Sequence, residues 1–166
     1  RECGGCVLTL TIRPATQPDV ALILRFVREL AEFEREPDAV KATEESLSHA
    51  LFSERSAEAV IAEQEGKPMG FALFFHNFST WTGRKGLYLE DLYVTPEARG
   101  SGVGTALLRH LAGIALDRDC GRFEWAVLDW NTPAIDFYTV MGAESLDEWR
   151  IRRVTGDALA KLAGRG

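Results

Sequence analysis

Hydrophobic and polar residues follow one another along this chain with two different periods. Between residues 19 and 34, apolar residues recur every three or four positions, which is the spacing of one helix face. Between residues 7 and 12, apolar residues alternate with threonine, as in a half-buried strand. Helix-like and strand-like segments then succeed one another without repeats. This order predicts an α/β fold with one mixed sheet and helices on both faces.

The same periods give the bounds of each predicted element. Helices are predicted at residues 19–34, 102–118, 132–141 and 157–163. A further short helix is predicted to begin after an N-cap at Thr43. Strands are predicted at residues 7–12, 57–62, 69–75, 86–94, 123–128 and 149–154. The second and third strands are expected to form a hairpin that turns at Glu65-Gly66-Lys67.

Composition and charge exclude several classes of function. With 46% hydrophobic and 27% charged residues, the chain has the make-up of an ordinary globular domain. Its net charge of -6 disfavours nucleic acid or an anionic membrane as a partner and favours a cationic one. No apolar run approaches the roughly 18 residues that a membrane span requires.

The three cysteines indicate neither a metal site nor a disulfide framework. Cys3 and Cys6 form a C-x-x-C near the N-terminus, and Cys120 is far away in sequence. A zinc site needs about four ligands, and no second pair completes one, so no metal is expected. Residues 1–6 are instead expected to form a flexible leader. Cysteines without a disulfide framework favour a reducing compartment, the cytoplasm.

Two adjacent carboxylates interrupt an otherwise apolar strand. Glu90 and Asp91 lie in the middle of residues 87–94, which are apolar on both sides of the pair. Adjacent residues of a strand point to opposite faces, so one carboxylate is expected to face the core or a cleft. Burying a carboxylate without a partner raises its pKa. Taken alone, the strand has two equally good explanations. The two carboxylates could have a structural role, with hydrogen bonds from arginine or from backbone donors, or they could have a functional role.

A glycine-rich segment, residues 99–104, joins this strand to the next predicted helix. A glycine-rich turn that opens a helix presents free backbone N–H groups and the positive end of the helix dipole to an anion. The segment lacks the Gly-Lys-Ser/Thr of a phosphate-binding nucleotide loop, and its third glycine does not have the spacing of the dinucleotide fingerprint. Taken alone, the segment also fits a simple helix-entry turn.

Together these segments resemble a known family. Arg99-Gly100-x-Gly102-x-Gly104 resembles the pyrophosphate loop of the GNAT acetyltransferases, and Asn131-x-x-Ala134-x-x-x-Tyr138 resembles their second CoA-side motif. Four further segments are similar to the diamine/spermidine acetyltransferase branch: Ile12-Arg13-Pro14-Ala15-Thr16, Glu29-Leu30-Ala31-x-Phe33-Glu34, Tyr88-Leu89-Glu90-Asp91 and Asp129-Trp130-Asn131. The resemblance implies one acetyltransferase domain over residues 7–166, with a central, mostly antiparallel sheet. It also implies a homodimer whose active sites receive residues from both subunits.

The resemblance implies acetyl-CoA as cosubstrate, without a metal. It assigns Tyr138 as the acid that protonates the leaving thiolate, although spacing alone favours a core aromatic beside Phe137. It assigns Glu90 as the base that takes a proton from the amine, directly or through water, and a partly dry cleft around Glu90 would suit that role. Asn131 is expected to bind the pantetheine arm and to cap its helix. The implied cofactor-binding residues are Leu92, Tyr93, Val94, Arg99, Gly100, Ser101, Gly102, Val103, Gly104, Thr105, Asn131, Ala134 and Tyr138.

The amine site that the resemblance implies is acidic, with an aromatic side chain for a cation–π contact at Trp81. Each acidic residue in it also fits an ordinary solvated surface charge. The segment 144–149 is shorter than in the relatives, which leaves the alignment of Glu148 open. The implied substrate-binding residues are Phe33, Glu34, Ser79, Trp81, Glu90, Asp91, Leu128, Asp129 and Glu148.

Two subgroups of the branch differ in their amine. In the polyamine subgroup an aspartate stands where this chain has Ser79, and residues 127–131 here resemble the thialysine subgroup. The expected substrate is therefore a small cationic amine, thialysine or a related lysine analogue. A polyamine acetyltransferase is the alternative, and a non-catalytic acyl-CoA-binding module is the second alternative. A protein amine as acceptor also stays open.

Overall fold

The sheet has five strands among the described residues, in the order β1-β2-β3-β4-β5. The computed structural model describes residues 9–165. The strands are β1 (Leu10–Pro14), β2 (Glu58–Gln64), β3 (Lys67–Ser79), β4 (Arg84–Val94) and β5 (Phe123–Trp125). Neighbours from β1 to β4 are antiparallel, and β5 is parallel to β4. The predicted mixed, mostly antiparallel sheet is confirmed.

Residues 9–165 contain five α-helices. They are α1 (Val20–Phe33), α2 (Glu44–Ser48), α3 (Val103–Asp117), α4 (Thr132–Val140) and α5 (Gly156–Leu162). Each helix with predicted bounds agrees with the prediction to within one residue at either end. None of these helices has the length and apolar character that crossing a membrane requires.

The two large helices cover opposite faces of the sheet. Ile23 and Phe26 of α1 pack in one buried cluster with Phe71 of β3. α3 contacts β3 and β4 but contributes nothing to that cluster, and its Leu107 and Leu111 are fully buried. Consecutive residues of β2, at positions 60–62, are all buried, which requires cover on both sides of the strand. The predicted helices on both faces are therefore confirmed.

Local signals at two turns act as predicted. Thr43 Oγ1 accepts a hydrogen bond from the Ser46 amide at 3.1 Å, so Thr43 is the N-cap of α2. Gln64 pairs with Lys67 across the hairpin turn. Glu65 and Gly66 between them both have positive φ, 52° and 75°, which is the backbone of a tight hairpin turn.

The strand predicted at residues 149–154 is wrong. This segment carries no regular secondary structure, and Trp149 and Ile151 are 65% and 77% exposed. Its apolar alternation resembles that of a strand, but a strand also needs paired backbone groups, and no strand among residues 9–165 pairs with it. The strand predicted at residues 123–128 is shortened to β5 for the same reason, since β4 pairs with it only over Phe123–Trp125.

The chain divides after Leu128 into two units. The first contains the sheet with α1 to α3, and the second contains α4 and α5. The leader predicted at residues 1–6, with Cys3 and Cys6, lies outside the described residues, as does the start of the first predicted strand.

Candidate active site

The paired carboxylates lie at an irregularity of β4. Across the β3–β4 ladder, Leu73 faces Asp91. The next residue, Phe74, faces Leu89, so Glu90 has no opposite residue. Such an extra residue is a β-bulge, which bends the strand and re-aims its side chains. Asp91 is half-buried, whereas Glu90 is exposed, so no dry cleft surrounds Glu90 in the single chain.

Asp91 lines a small concavity against α1 and the segment that follows this helix. Its volume is about 180 Å³. One part of its wall is apolar, and the other carries three carboxylates, Glu34, Glu36 and Asp91. None of the ion pairs among residues 9–165 involves these three side chains. We call this concavity the acidic pocket. Its lining residues are Val27, Leu30, Ala31, Glu34, Glu36, Ala39, Val40 and Asp91.

The electrostatics of the acidic pocket favour a cation. Burial, followed by the negative charges of Glu90 and Glu34, raises the pKa of Asp91 to about 6. Partial burial and the charge of Glu90 also raise the pKa of Glu34. Each shift means that the ionised form lacks a compensating positive charge. A ligand ammonium would supply that charge and would favour ionisation of both carboxylates.

The edge of β4 beyond the bulge is open on one side. β5 pairs with β4 only from Leu87 to Leu89. On that side no strand of residues 9–165 continues the sheet along Glu90 to Val94. Backbone groups on an unpaired edge can hydrogen-bond an extended ligand. Leu92, Tyr93 and Val94, which the family resemblance assigns to the acetyl and pantetheine end of the cofactor, lie on this stretch.

The glycine-rich segment keeps the entrance to α3 clear. Gly100 and Gly102 have φ of 79° and 89°, which side chains rarely adopt. A Cβ built on either glycine would meet no atom within 4 Å. Glycine is therefore required here by the backbone conformation, and the space in front of the segment is open.

Backbone donors face this space from the first turn of α3. The first helical bond joins the Ala106 N–H to the Gly102 carbonyl at 3.0 Å. The N–H groups of Val103, Gly104 and Thr105 precede that bond, and no side chain caps this end of the helix. Free amides, the helix dipole and the neighbouring cation Arg99 together fit a diphosphate.

In the second unit, α4 carries the predicted acid. Tyr138 is half-buried, and its ring centroid lies 5.4 Å from that of Phe137. Asn131 stands at the N-cap position, and its carbonyl accepts from the Ile135 N–H at 3.0 Å. Asn131 therefore occupies the predicted capping position of α4, although its side chain makes no capping hydrogen bond. The Asn131 backbone is away from the extended conformation that lets an N-cap side chain reach back (φ -83°, ψ 65°). Ala134 is half-buried on the same helix.

Ser79 and Trp81 lie at the tip of the β3–β4 hairpin. Ser79 pairs with Arg84, and its Oγ accepts from the Thr82 amide at 3.3 Å. Trp81 is 80% exposed. Arg84 and Asp91 are seven positions apart along β4, and strands rise about 3.3 Å per residue. Roughly 20 Å therefore separates the hairpin tip from the acidic pocket along one chain. A short ligand in that pocket does not reach Ser79 of the same chain.

The remaining predicted residues are exposed. Leu128 ends the first unit, Asp129 begins the second, and Glu148 follows in the second unit. Within the first unit, the structure thus gathers Glu34 and Asp91 at one pocket, and it brings Phe33 and Arg99 together elsewhere.

Sequence reasoning missed Glu36 and the apolar wall of the acidic pocket. A signal for the apolar wall was present, because Val27 and Leu30 share one face of α1, and Glu34 follows at helical spacing just beyond the end of this helix. No pattern marks Glu36, since the 3-10 helix Pro37–Ala39 that carries the chain around the pocket has no periodicity.

Comparison with known proteins identifies the family. Residues 23–143 match the model of the acetyltransferase (GNAT) family. A thialysine N-epsilon-acetyltransferase from Sus scrofa is 42% identical over 95% of this chain and 99% of its own length. A human spermidine/spermine N(1)-acetyltransferase-like protein is 35% identical over 92% of this chain and 23% of its own length. An integron cassette protein from the mobile metagenome of V. cholerae has a TM-score of 0.78 at 30% identity, covering 94% of this chain and 98% of its own.

Proposed function

This chain belongs to the acetyltransferase (GNAT) family and is an acyltransferase, and we propose that it moves the acetyl group of acetyl-CoA to the primary amine of a small cationic substrate. One observation carries the proposal. Asp91, which lines the pocket with three carboxylates, lies on the same strand, β4, that leads through residues 99–104 into an open, uncapped helix entrance. The pocket suits an ammonium group, and the helix entrance suits a diphosphate.

The proposed chemistry divides between two side chains. A primary amine has a pKa of about 10.4 and is mostly protonated at neutral pH, so it must lose a proton before its nitrogen can attack. Glu90, exposed at the bulge, takes that proton directly or through water. Acetyl-CoA supplies the acetyl group as a thioester, so a C–N bond forms as a C–S bond breaks. Tyr138 donates its hydroxyl proton to the departing sulfur.

Asp91 and Glu34 hold the amine rather than deprotonating it. Their raised pKa values reflect a shortage of positive charge, and a bound ammonium supplies it. The apolar wall of Val27, Leu30 and Val40 suits the methylene part of an aliphatic amine.

The proposed acceptor is thialysine or a related lysine analogue. A serine hydroxyl at position 79 can donate to the carboxylate of an amino acid, whereas an aspartate would repel it. The relative that bears the thialysine name is 42% identical to this chain, and the spermidine/spermine-like relative is 35% identical. A polyamine is the second candidate, because the three carboxylates of the acidic pocket also suit a polycation.

The proposal includes a homodimer in the cytoplasm. A substrate that contacts Ser79 while its amine lies in the acidic pocket needs the hairpin of a second subunit, because the two places are roughly 20 Å apart along one chain. The homodimer is carried over from the family resemblance, and this separation supports it. The cytoplasmic setting rests on cysteine usage, since three cysteines without a disulfide framework favour a reducing compartment.

A thiol-release assay tests the proposal. Purified protein with acetyl-CoA is given thialysine, lysine, ornithine, spermidine and a lysine-containing peptide, and free CoA thiol is measured. We expect release with thialysine, a large loss for Glu90→Gln, and no loss for the matched control Glu32→Gln, an exposed residue of α1 outside the pocket. Binding of acetyl-CoA without thiol release for any amine would instead indicate a non-catalytic module. A higher kcat/KM for spermidine than for thialysine would favour the polyamine enzyme.

A further inference from the structure

Arg99 is an exposed cation that aromatic rings hold in place. Its guanidinium carbon lies 5.3 Å from the ring centroid of Phe33 and 5.9 Å from that of Tyr93. Its Nε donates to the Val94 carbonyl at 3.1 Å. Arg99 takes part in none of the ion pairs found within residues 9–165. The side chain is therefore oriented without being neutralised, and its terminal N–H groups remain available to an anion.

Tyr93 is the fixed half of this aromatic support. It is 4% exposed, and its ring lies 5.3 Å from that of Phe26 in the core. Its hydroxyl donates to Glu29 at 2.5 Å. Burial and this hydrogen bond raise the pKa of Tyr93 to about 12, so the hydroxyl stays protonated. Glu29 is thus occupied by Tyr93 and by Arg25, which lies 3.6 Å away, and it forms no ion pair with Arg99.

Phe33 is the exposed half of the support. It is the last residue of α1 and belongs to the apolar stripe of that helix, yet it is 47% exposed. An exposed aromatic ring forgoes much of the free energy of burial. Its contact with the Arg99 guanidinium gives the ring a function at this position. The next residue, Glu34, lines the acidic pocket.

We infer that Phe33 is a positioning residue that holds Arg99 for an anionic ligand, and that the end of α1 couples the two halves of the site. Consecutive residues contact the two ligand-binding places, Phe33 through Arg99 and Glu34 through the acidic pocket. A cation bound at Glu34 and a diphosphate bound at Arg99 therefore act on consecutive residues at the end of one helix, so we expect amine and CoA to bind with positive cooperativity. This inference rests on the proposed function, because it takes the ligand of Arg99 to be the diphosphate of CoA.

A double-mutant cycle tests the positioning role. The Kd of CoA is measured by calorimetry for wild type, Phe33→Leu, Arg99→Ala and the double variant. Phe33→Leu should weaken CoA binding about two- to fivefold, as expected for an exposed cation–π contact, and Phe33→Tyr should restore it. In the Arg99→Ala background the same change should have no effect. Phe78→Leu, which alters another exposed phenylalanine, is the matched control.

The cycle separates the two possible failures. Unchanged CoA affinity in a folded Arg99→Ala variant would overturn the proposed cofactor loop itself. If Arg99→Ala weakens CoA binding while Phe33→Leu leaves CoA binding unchanged, the positioning role alone is overturned. An equal effect of Phe33→Leu with and without Arg99 would also overturn it, since the ring would then act through the fold.

Coupling has its own measurement. The Kd of CoA is determined with and without a saturating amine, for wild type and for Phe33→Leu. The amine should tighten CoA binding in wild type. The ratio of the Kd of CoA without the amine to the Kd with the amine should fall toward one in Phe33→Leu. An identical ratio in both proteins would overturn the coupling.

Discussion

Glu90 and Asp91 are neighbours in β4, yet the bulge between β3 and β4 exposes the first and partly buries the second. Only Asp91 lines the acidic pocket. The two adjacent carboxylates therefore have different surroundings. We propose that Asp91 holds the ammonium group and that Glu90 exchanges protons with water.

Asp91→Asn should weaken amine binding while leaving CoA affinity intact. Loss of the charge removes a charge-assisted hydrogen bond, which corresponds to an increase in KM of about ten- to a hundredfold. Because the pKa of Asp91 is raised to about 6, KM for the amine in wild type should fall as pH rises through about 6. Steady-state kinetics from pH 5 to 8 should contain this step in wild type and lack it in the variant. A step of equal size in both would assign the titration to another group.

The same substitution should stabilise the fold at neutral pH. A carboxyl whose pKa is raised in the folded state binds more protons there than in the unfolded state, so stability falls as pH rises from about 4 to about 6. Removing the charge should recover about 1–2 kcal/mol above that range and almost nothing at pH 4. Urea unfolding of wild type and Asp91→Asn at pH 4 and pH 7.5 measures this difference. Greater stability of wild type at pH 7.5 would mean that Asp91 has a stabilising partner.

Tyr138→Phe should lower turnover and spare cofactor binding. The hydroxyl proton is needed only when the thiolate leaves, so its loss acts on the transition state. We expect kcat to fall about a hundredfold or more, as for other general acids, with the Kd of acetyl-CoA unchanged. Full kcat in the variant across pH would assign protonation of the thiolate to another group.

Gly104→Val should yield a folded protein that binds acetyl-CoA poorly. Gly104 lies in the first, uncapped turn of α3, and a branched side chain there would enter the space proposed for the diphosphate. Calorimetry gives the affinity, and thermal melting confirms folding. Unchanged affinity in a folded variant would falsify the assignment of this loop.

Ser79→Asp should shift preference toward polyamines. The added carboxylate favours a distal ammonium and repels an amino-acid carboxylate, which corresponds to about a tenfold to a hundredfold change in the ratio of kcat/KM values. An aspartate can still accept the hydrogen bond that Ser79 accepts from the Thr82 amide, so the hairpin should persist. An unchanged ratio of spermidine to thialysine would mean that position 79 does not face the substrate.

Asp19→Asn should reduce stability at neutral pH and matter less in acid. Both oxygens of Asp19 accept hydrogen bonds from Arg13, at 2.7 and 2.9 Å, and the Thr16 amide donates as well. The Arg13 hydrogen bonds outweigh burial and lower the pKa of Asp19 to about 2. The stabilisation is therefore present above about pH 4 and disappears as pH falls toward 2.

Denaturant unfolding at pH 7 and pH 3 measures this effect. Asp19→Asn should lose about 1–2 kcal/mol at pH 7 and about half as much at pH 3. Asp117→Asn, at an exposed aspartate, is the matched control. An equal loss at both pH values would attribute the effect to packing rather than to charge.

Periodicity in the sequence was enough to predict the helices, because their amphipathic spacing is a local property. α1 and α3 begin and end within one residue of the predicted bounds. The pattern of segment 149–154 also predicts a strand, but a strand depends on a hydrogen-bonding partner elsewhere in the chain. Local pattern contains no information about whether that partner is present.

The candidate site was predictable in residue types and not in geometry. The sequence indicates that one of the two adjacent carboxylates faces inward, but the register of β3 against β4 decides that it is Asp91. The resemblance names Phe33 among the substrate-binding residues, and the structure places its ring against the Arg99 guanidinium. Both outcomes depend on contacts between residues far apart in sequence, and a single sequence does not encode these contacts in any local pattern.

The open edge of β4 also has a consequence for the protein in solution. Beyond Leu89 the strand continues to Val94 without a neighbour on one side among residues 9–165. An unpaired edge is a template onto which a strand from another molecule can add, which is how many folded proteins begin to aggregate. A pantetheine arm along this edge would occupy the same amides. The ligand-free protein should therefore precipitate sooner on storage and concentration than the CoA-saturated protein.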